Sequence, residues 1–322
     1  MVDLILNQEQ KEYQKLARDF AQRELAGRAH QCDSSGEFPA DILRKAWETG
    51  LLNVQLPEQF GGLDLKCWDA AVIAEELACG CAGIAAAAQA NALALLPLLH
   101  SGSASRQKEW LEPFAQECCF AALPLDLYAP HRRQHLTVKK GGDGFELSGM
   151  LPLVITAEQC KWLLVEAFSG SAASTLFVVP RSAGGITVEA KVALLGLKAA
   201  DVRPVKFERV QVTPAQIVGT ENGAFAVLDF VRPSAYVLHS AAAVGLARSA
   251  MEHSIRYSKE RRTFGQPISQ HQAVAFMLAD MAKDIEAARL LTWQAAAMID
   301  GGGAELRSAS IARQFSQNMA MR

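Results

Sequence analysis

The chain has 322 residues, half of them apolar, enough to bury a large core and to suggest two or three domains. Its net charge of −2 comes from 32 basic and 34 acidic side chains mixed along the sequence, so composition offers no footprint for nucleic acid or a membrane surface. The start, MVDLILNQEQKEYQ, has no basic stretch leading into an apolar one and is not rich in Arg and Ser; no secretory or organelle signal is expected, and a cytoplasmic location is.

In chain order, the first elements read as helices. Asn7 can cap and Gln10 can reach back, a capping-box pattern, and Tyr13, Leu16, Ala17, Phe20 and Leu25 then share one helical face. A second helix is expected from near Pro39, burying Ile42, Leu43, Ala46 and Trp47 and ending at Gly50. PEQFGG at 57–62 is a turn-rich loop, and Ala- and Leu-rich helical sequence follows to about 117. Within it, residues 82–100 are the most apolar run; Gln89, Asn91 and Pro97 interrupt it, which favours a buried helix over a membrane span.

The pattern then changes. FAALPL, HLTVKK, GFELS, KWLLVEAF, TLFVV, ITVEA and RPVKFERVQV, between about 119 and 220, are short β-type runs separated by turns such as GGDG and GSAAS, as in a compact β-domain. After Gly223 helical pattern returns over about 223–258, 270–299 and 304 to the end, with GGG at 301–303 between the last two. The expected architecture is therefore mostly α with a central β-domain, an α/β/α chain divided at 1–118, 119–221 and 222–322. Seven cysteines, at 32, 67, 79, 81, 118, 119 and 160, form no pair of CxxC motifs and read as buried reduced thiols. Cys79 and Cys81 have no His cluster beside them, so no metal site is expected.

Three segments carry a resemblance. PEQFGG resembles a PE-x-x-GG loop; LLGLKAADVRPVKFERVQVTPAQIVGTENGAF at 194–225 resembles the end of a β-domain; RRTFGQPISQHQAVAFMLADM at 261–281 resembles a C-terminal signature. All belong, in this order, to the acyl-CoA dehydrogenase family. The resemblance implies the three-domain fold with its last C-terminal helices lying beyond Arg322, FAD as cofactor, an acyl-CoA thioester as substrate, electron-transfer flavoprotein as acceptor, and an oligomer. In the family the Arg and Phe of the signature reach a neighbouring subunit's flavin. Here the matching residues are Arg261, Arg262, Thr263 and Phe264, with His271 and Gln272 following at family spacing.

Other family positions are replaced. The TEP-x-x-GSD loop that wraps a subunit's own flavin reads LPLDLYAP at 123–130: Leu123 stands for the Thr, Pro124 for the Glu, and Ala129 and Pro130 for the Ser-Asp pair. The G-x-K-x-W-I-T loop reads GMLPLVIT at 149–156, with Leu151, Leu153 and Ile155 at the Lys, Trp and Thr positions. Thr156 comes one residue late, and a one-residue slip on a strand sends a side chain to the other face. The base glutamate sits, in most of the family, in a YEGT-like loop beyond the position of Arg322; a minority places it where this chain has Ala235, followed by Tyr236 for the usual Arg.

No catalytic residue is therefore assigned. The expected function is that of an oxidoreductase subunit, non-catalytic or dependent on a homo- or hetero-oligomeric partner, with FAD bound at the interface. Two alternatives stand beside it: a genuine dehydrogenase seen truncated, and a flavin-free acyl-CoA or acyl-carrier binding protein, for which the basic cluster at 131–133 with His135 could meet a CoA phosphate.

Overall fold

A computed structural model describes residues 4–101, 104–129, 133–170, 173–303 and 305–322. Two compact units emerge from it. One gathers the residues up to Ala29, Lys66–Ala85 and Tyr236–Arg322; the other gathers His30–Leu65 and Ala86–Ala235.

The first unit is helical. α1 (Gln8–Phe20) begins with the expected capping box: Asn7 Oδ1 accepts from the Gln10 N–H at 2.8 Å, and Gln10 Oε1 accepts from the Asn7 N–H at 3.0 Å. Ala17, Phe20 and Leu25 are buried, but Leu16 is 39% exposed, because a 3.6-residue period leaves it at the edge of the apolar stripe. α1 runs into one turn of π-helix at Ala21–Leu25. Gly80 explains the close fit there, since a Cβ on it would lie 2.9 Å from Ala21 Cβ. α4 (Cys67–Gly80) is buried almost throughout, and Asp300 accepts from the N–H groups of Cys67 and Trp68 at 2.9 Å, satisfying the first-turn donors. The long helix α8 (Ala224–Glu260) passes so near α4 that a Cβ on Gly245 would stand 2.1 Å from Glu75 O. α9 (Gln272–Asp300) and α10 (Leu306–Ala320) complete this unit, packed through Ala295, Ala296, Ala309 and Ala312.

The second unit holds an eight-stranded sheet. Its strands are β1 (Phe120–Pro124), β2 (Leu136–Gly141), β3 (Gly144–Ile155), β4 (Cys160–Phe168), β5 (Ser174–Pro180), β6 (Ile186–Val188), β7 (Arg203–Val212) and β8 (Ile217–Val218). They are ordered β6-β7-β3-β1-β4-β5-β8, with β2 pairing β3 and β4. β1, β4 and β5 are buried nearly end to end, which is why FAALP, KWLLVEAF and TLFVV read as continuous apolar runs; β2 and β7 alternate. β3 bends at two register shifts, and Gly149 sits at one of them with φ +139, where a Cβ would lie 2.2 Å from His135 O. α5 (Ala82–His100) is the one described helix long and apolar enough to cross a membrane, and 67% of that window is buried in the protein. Asn91 on it clamps the start of β1, donating to Cys119 O at 3.0 Å and accepting from the Ala121 N–H at 2.8 Å. That use explains the polar residue inside an apolar run.

Candidate cofactor-binding segments

The expected trans-acting residues come together in the helical unit. After α8 the chain makes a two-residue hairpin, with β9 (Arg262–Thr263) pairing antiparallel to β10 (Gln266–Pro267). Phe264 (φ +50) and Gly265 (φ +79) form its tip, both in the left-handed region that a primed hairpin turn requires. For a phenylalanine this is a strained conformation, and its ring is 98% exposed.

His271, which precedes α9, braces the turn. The Gln266 amide nitrogen lies 3.3 Å from Nδ1, and Thr263 Oγ1 lies 2.9 Å from Nε2. Phe264 meets the same imidazole edge-on at 6.2 Å between centroids. Arg261, Arg262 and Gln272 are exposed, and neither guanidinium has an ion pair among the described residues. The hairpin thus presents, among the described residues, two cations without ion pairs and an aromatic ring on a hydrogen-bonded turn.

The expected own-subunit segments lie in the sheet unit and offer little polar chemistry. Leu123 pairs with Ile155 and Pro124 with Val154, and the Leu125 N–H is spent on Leu153 O at 3.0 Å. Leu123 and Leu151 are 3% and 2% exposed. Pro124 has no N–H to give. Thr156 lies beyond the end of β3 at φ +57, wholly buried, with its hydroxyl donating to Ala121 O at 2.6 Å. β3 itself carries an extra residue ahead of it, at the register shift between Leu151 and Val154.

The loop after β1 is filled by Tyr128, whose hydroxyl donates to Leu93 O at 2.5 Å; burial pushes that phenol well above its ordinary pKa. Asp126 pairs with His135 at 2.7 Å beside a pocket of only about 20 Å³ that also touches Arg133, Leu151 and Glu166. Pro130, His131 and Arg132 lie outside the described residues; Arg133 is exposed.

A further set of charges in the helical unit was not foreseen. Glu75 and Glu76, 2% and 1% exposed on α4, are met by three arginines. Arg248 donates to Glu75 at 2.8 Å and to both oxygens of Glu76; Arg18 binds Glu76 through Nε at 3.2 Å and Nη2 at 2.8 Å; Arg289 binds Glu75 at 3.0 Å. Burial opposes the charge on Glu76, but the hydrogen bonds from Arg18 and Arg248 outweigh it and hold the carboxyl below its usual range. The same bonds keep Arg248 protonated against its own desolvation. Arg18, Glu76, Arg248 and Arg289 line a groove of about 940 Å³ between α1, α8 and α9. Two adjacent acids in the middle of an apolar helix were the readable signal. Their partners, up to 214 residues away, were not.

Comparison with known proteins places the chain in a family. Sequence models of the acyl-CoA dehydrogenase N-terminal and C-terminal domains match residues 7–117 and 235–322. The chain is 32% identical to a probable medium-chain specific acyl-CoA dehydrogenase of Caenorhabditis briggsae, over 92% of this chain and 75% of that protein. It is 31% identical to cyclohex-1-ene-1-carbonyl-CoA dehydrogenase of Geobacter metallireducens, over 98% and 86%. Its fold overlays butyryl-CoA dehydrogenase of Megasphaera elsdenii with a TM-score of 0.92 at 25% identity, covering 100% of this chain and 87% of that one. The chain belongs to the acyl-CoA dehydrogenase family.

Proposed function

We propose that this chain is a partner-dependent subunit of an acyl-CoA dehydrogenase, lending Arg261, Arg262, Thr263, Phe264, His271 and Gln272 to an FAD held by a neighbouring chain and holding none in its own strand loops. The division at 1–118, 119–221 and 222–322 describes its helical, β and helical parts.

The observation that carries the reading is that cationic groups are retained unmet on the hairpin while polar groups are missing from the β1–β3 pair. A flavin diphosphate is a dianion and is best met by arginines whose donors are not already spent. Arg261 and Arg262 fit that demand. The flavin ring needs donors and acceptors along its polar edge. Leu123, Pro124, Leu151 and Leu153 supply none from their side chains, and the Thr156 hydroxyl already donates its hydrogen bond to Ala121 O, so the residues there do not fit the group. Each absent hydrogen bond withholds about 0.5–1.5 kcal/mol.

FAD, when bound, supplies the hydride acceptor for oxidation of an acyl Cα–Cβ bond. This chain's share is to bind and to orient. Arg261 and Arg262 neutralise the diphosphate, Phe264 offers a stacking surface, and His271 holds the turn by its bonds to Thr263 and Gln266. At the position where a minority of the family places its base this chain has Ala235, followed by Tyr236, so no proton transfer is assigned to these two residues. An acyl-CoA thioester as substrate, electron-transfer flavoprotein as acceptor, a hetero- or homo-oligomer and a cytoplasmic location complete the reading.

Co-expression with an acyl-CoA dehydrogenase-like chain tests it. The complex is expected to contain flavin and to oxidise an acyl-CoA, and Arg261→Gln with Arg262→Gln in this chain to strip flavin from the complex. A complex whose flavin content ignores that double change would contradict the reading.

A further inference from the structure

Pro97 lies inside α5, in the sheet unit. Proline has no N–H, so the carbonyl of Leu93, one turn earlier, lacks the donor that an α-helix would give it. Leu93 is buried, and an unmet carbonyl there would be costly. The donor comes from 35 residues further along the chain: the Tyr128 hydroxyl reaches Leu93 O at 2.5 Å, from a ring that is buried as well. A helix interrupted by proline and a phenol taken out of water, each unfavourable alone, satisfy each other.

What this bond holds is the loop after β1. Residues 125–129 make two turns, with the Leu127 N–H donating to Pro124 O at 3.1 Å and the Ala129 N–H to Asp126 O at 2.9 Å. Asp126 and Leu127 of this loop cover a cavity of about 20 Å³ whose remaining walls include Arg133, His135 and Glu166. That volume holds about one water molecule. Asp126 also meets His135 Nε2 at 2.7 Å, so the loop cannot lift without parting this pair. We propose that Tyr128 and Pro97 form a latch, and that residues 125–129 are a lid which the latch keeps shut over the polar cavity of Asp126, Arg133, His135 and Glu166. Two turn bonds alone would leave such a loop free to open; the bond from Tyr128 to the carbonyl freed by Pro97 ties it to a buried helix. None of these residues belongs to the hairpin that carries the proposed function, so the latch stands or falls separately.

Native-state hydrogen exchange on the full chain reads the latch. In the wild type the Leu127 and Ala129 amides are expected to exchange at least about tenfold more slowly than that of Ala183, which makes a comparable turn bond to Pro180 O at 3.0 Å without a latch. Tyr128→Phe keeps the ring and removes the donor; it should speed both loop amides roughly tenfold by leaving the Leu93 carbonyl unmet. Pro97→Ala returns a helical donor to that carbonyl, so adding it to Tyr128→Phe should bring exchange back to within about threefold of wild type. The lid is read by carbethoxylation of His135 with diethyl pyrocarbonate, mapped by mass spectrometry. Its rate should rise with loop exchange in Tyr128→Phe and fall again in the double variant. Equal exchange of Ala129 and Ala183 in the wild type would overturn the proposal, and that comparison needs no variant to fold. So would unchanged loop exchange or His135 reactivity in Tyr128→Phe, or a double variant as fast as Tyr128→Phe alone.

Discussion

Two groups of arginines in the helical unit behave in opposite ways. Arg18, Arg248 and Arg289 are drawn inward onto Glu75 and Glu76, where every charge has a partner. Arg261 and Arg262 lead into a strained hairpin, exposed and without an ion pair among the described residues, beside a phenylalanine that is 98% in solvent. The first group is explained by the fold alone. The second contributes nothing visible to the fold, and a backbone strain is maintained to present it; such an arrangement is explained by something outside the chain.

The sharpest way to break this contrast is to remove a partner from the inner group. Glu76→Ala leaves Arg18 and Arg248 buried or half-buried without their main acceptor, and a loss of about 3–5 kcal/mol is expected in denaturant unfolding. A smaller loss would mean that the inner arginines are no more structural than the outer ones.

Acid should weaken the same unit through His239. Its folded pKa of about 4 lies below the unfolded value, so the unfolded chain takes up the proton first as pH falls. The contribution is complete above about pH 6.5 and is lost on descending toward pH 4, a change of about 3 kcal/mol. His239→Leu should flatten that part of the stability–pH curve, and an unchanged slope in the variant would place the effect elsewhere.

On the outer group the signs reverse. Phe264→Gly relieves the left-handed strain at the hairpin tip and should raise stability by about 1 kcal/mol in thermal melts, while lowering the flavin content of a complex. Smallest of all, Arg262→Gln should move the stability of the isolated chain by no more than about 0.5 kcal/mol. A larger loss would show a structural role for this arginine and remove the contrast.

Much of this fold was legible from local chemistry. The capping box at Asn7 and Gln10, the stop at Gly50 and the apolar strand runs depend on neighbours in sequence, and the structure has them where the pattern puts them. What was not legible depends on distance. Glu75 and Glu76 read only as two acids in an apolar helix, because their guanidiniums come from three other helices. Asp300 capping α4 joins residues 232 and 233 positions apart, and no window reaches that far. The hairpin at 262–267 was hidden for another reason: Phe is not a turn-former at positive φ, so the motif was visible by resemblance while its conformation was not. Thr156 shows the limit of register reasoning. The expected one-residue slip assumes an unbroken strand, whereas β3 shifts register between Leu151 and Val154, and Thr156 then sits in a left-handed turn with its hydroxyl on the carbonyl of Ala121, none of which strand periodicity contains.

The flavin content of the purified chain by itself is the most direct test of the central claim. Expressed alone, the folded protein is expected to be colourless, with no FAD released on denaturation and no acyl-CoA oxidation when FAD is added. A yellow preparation carrying one FAD per chain, retained on dilution and reduced by an acyl-CoA, would contradict the account.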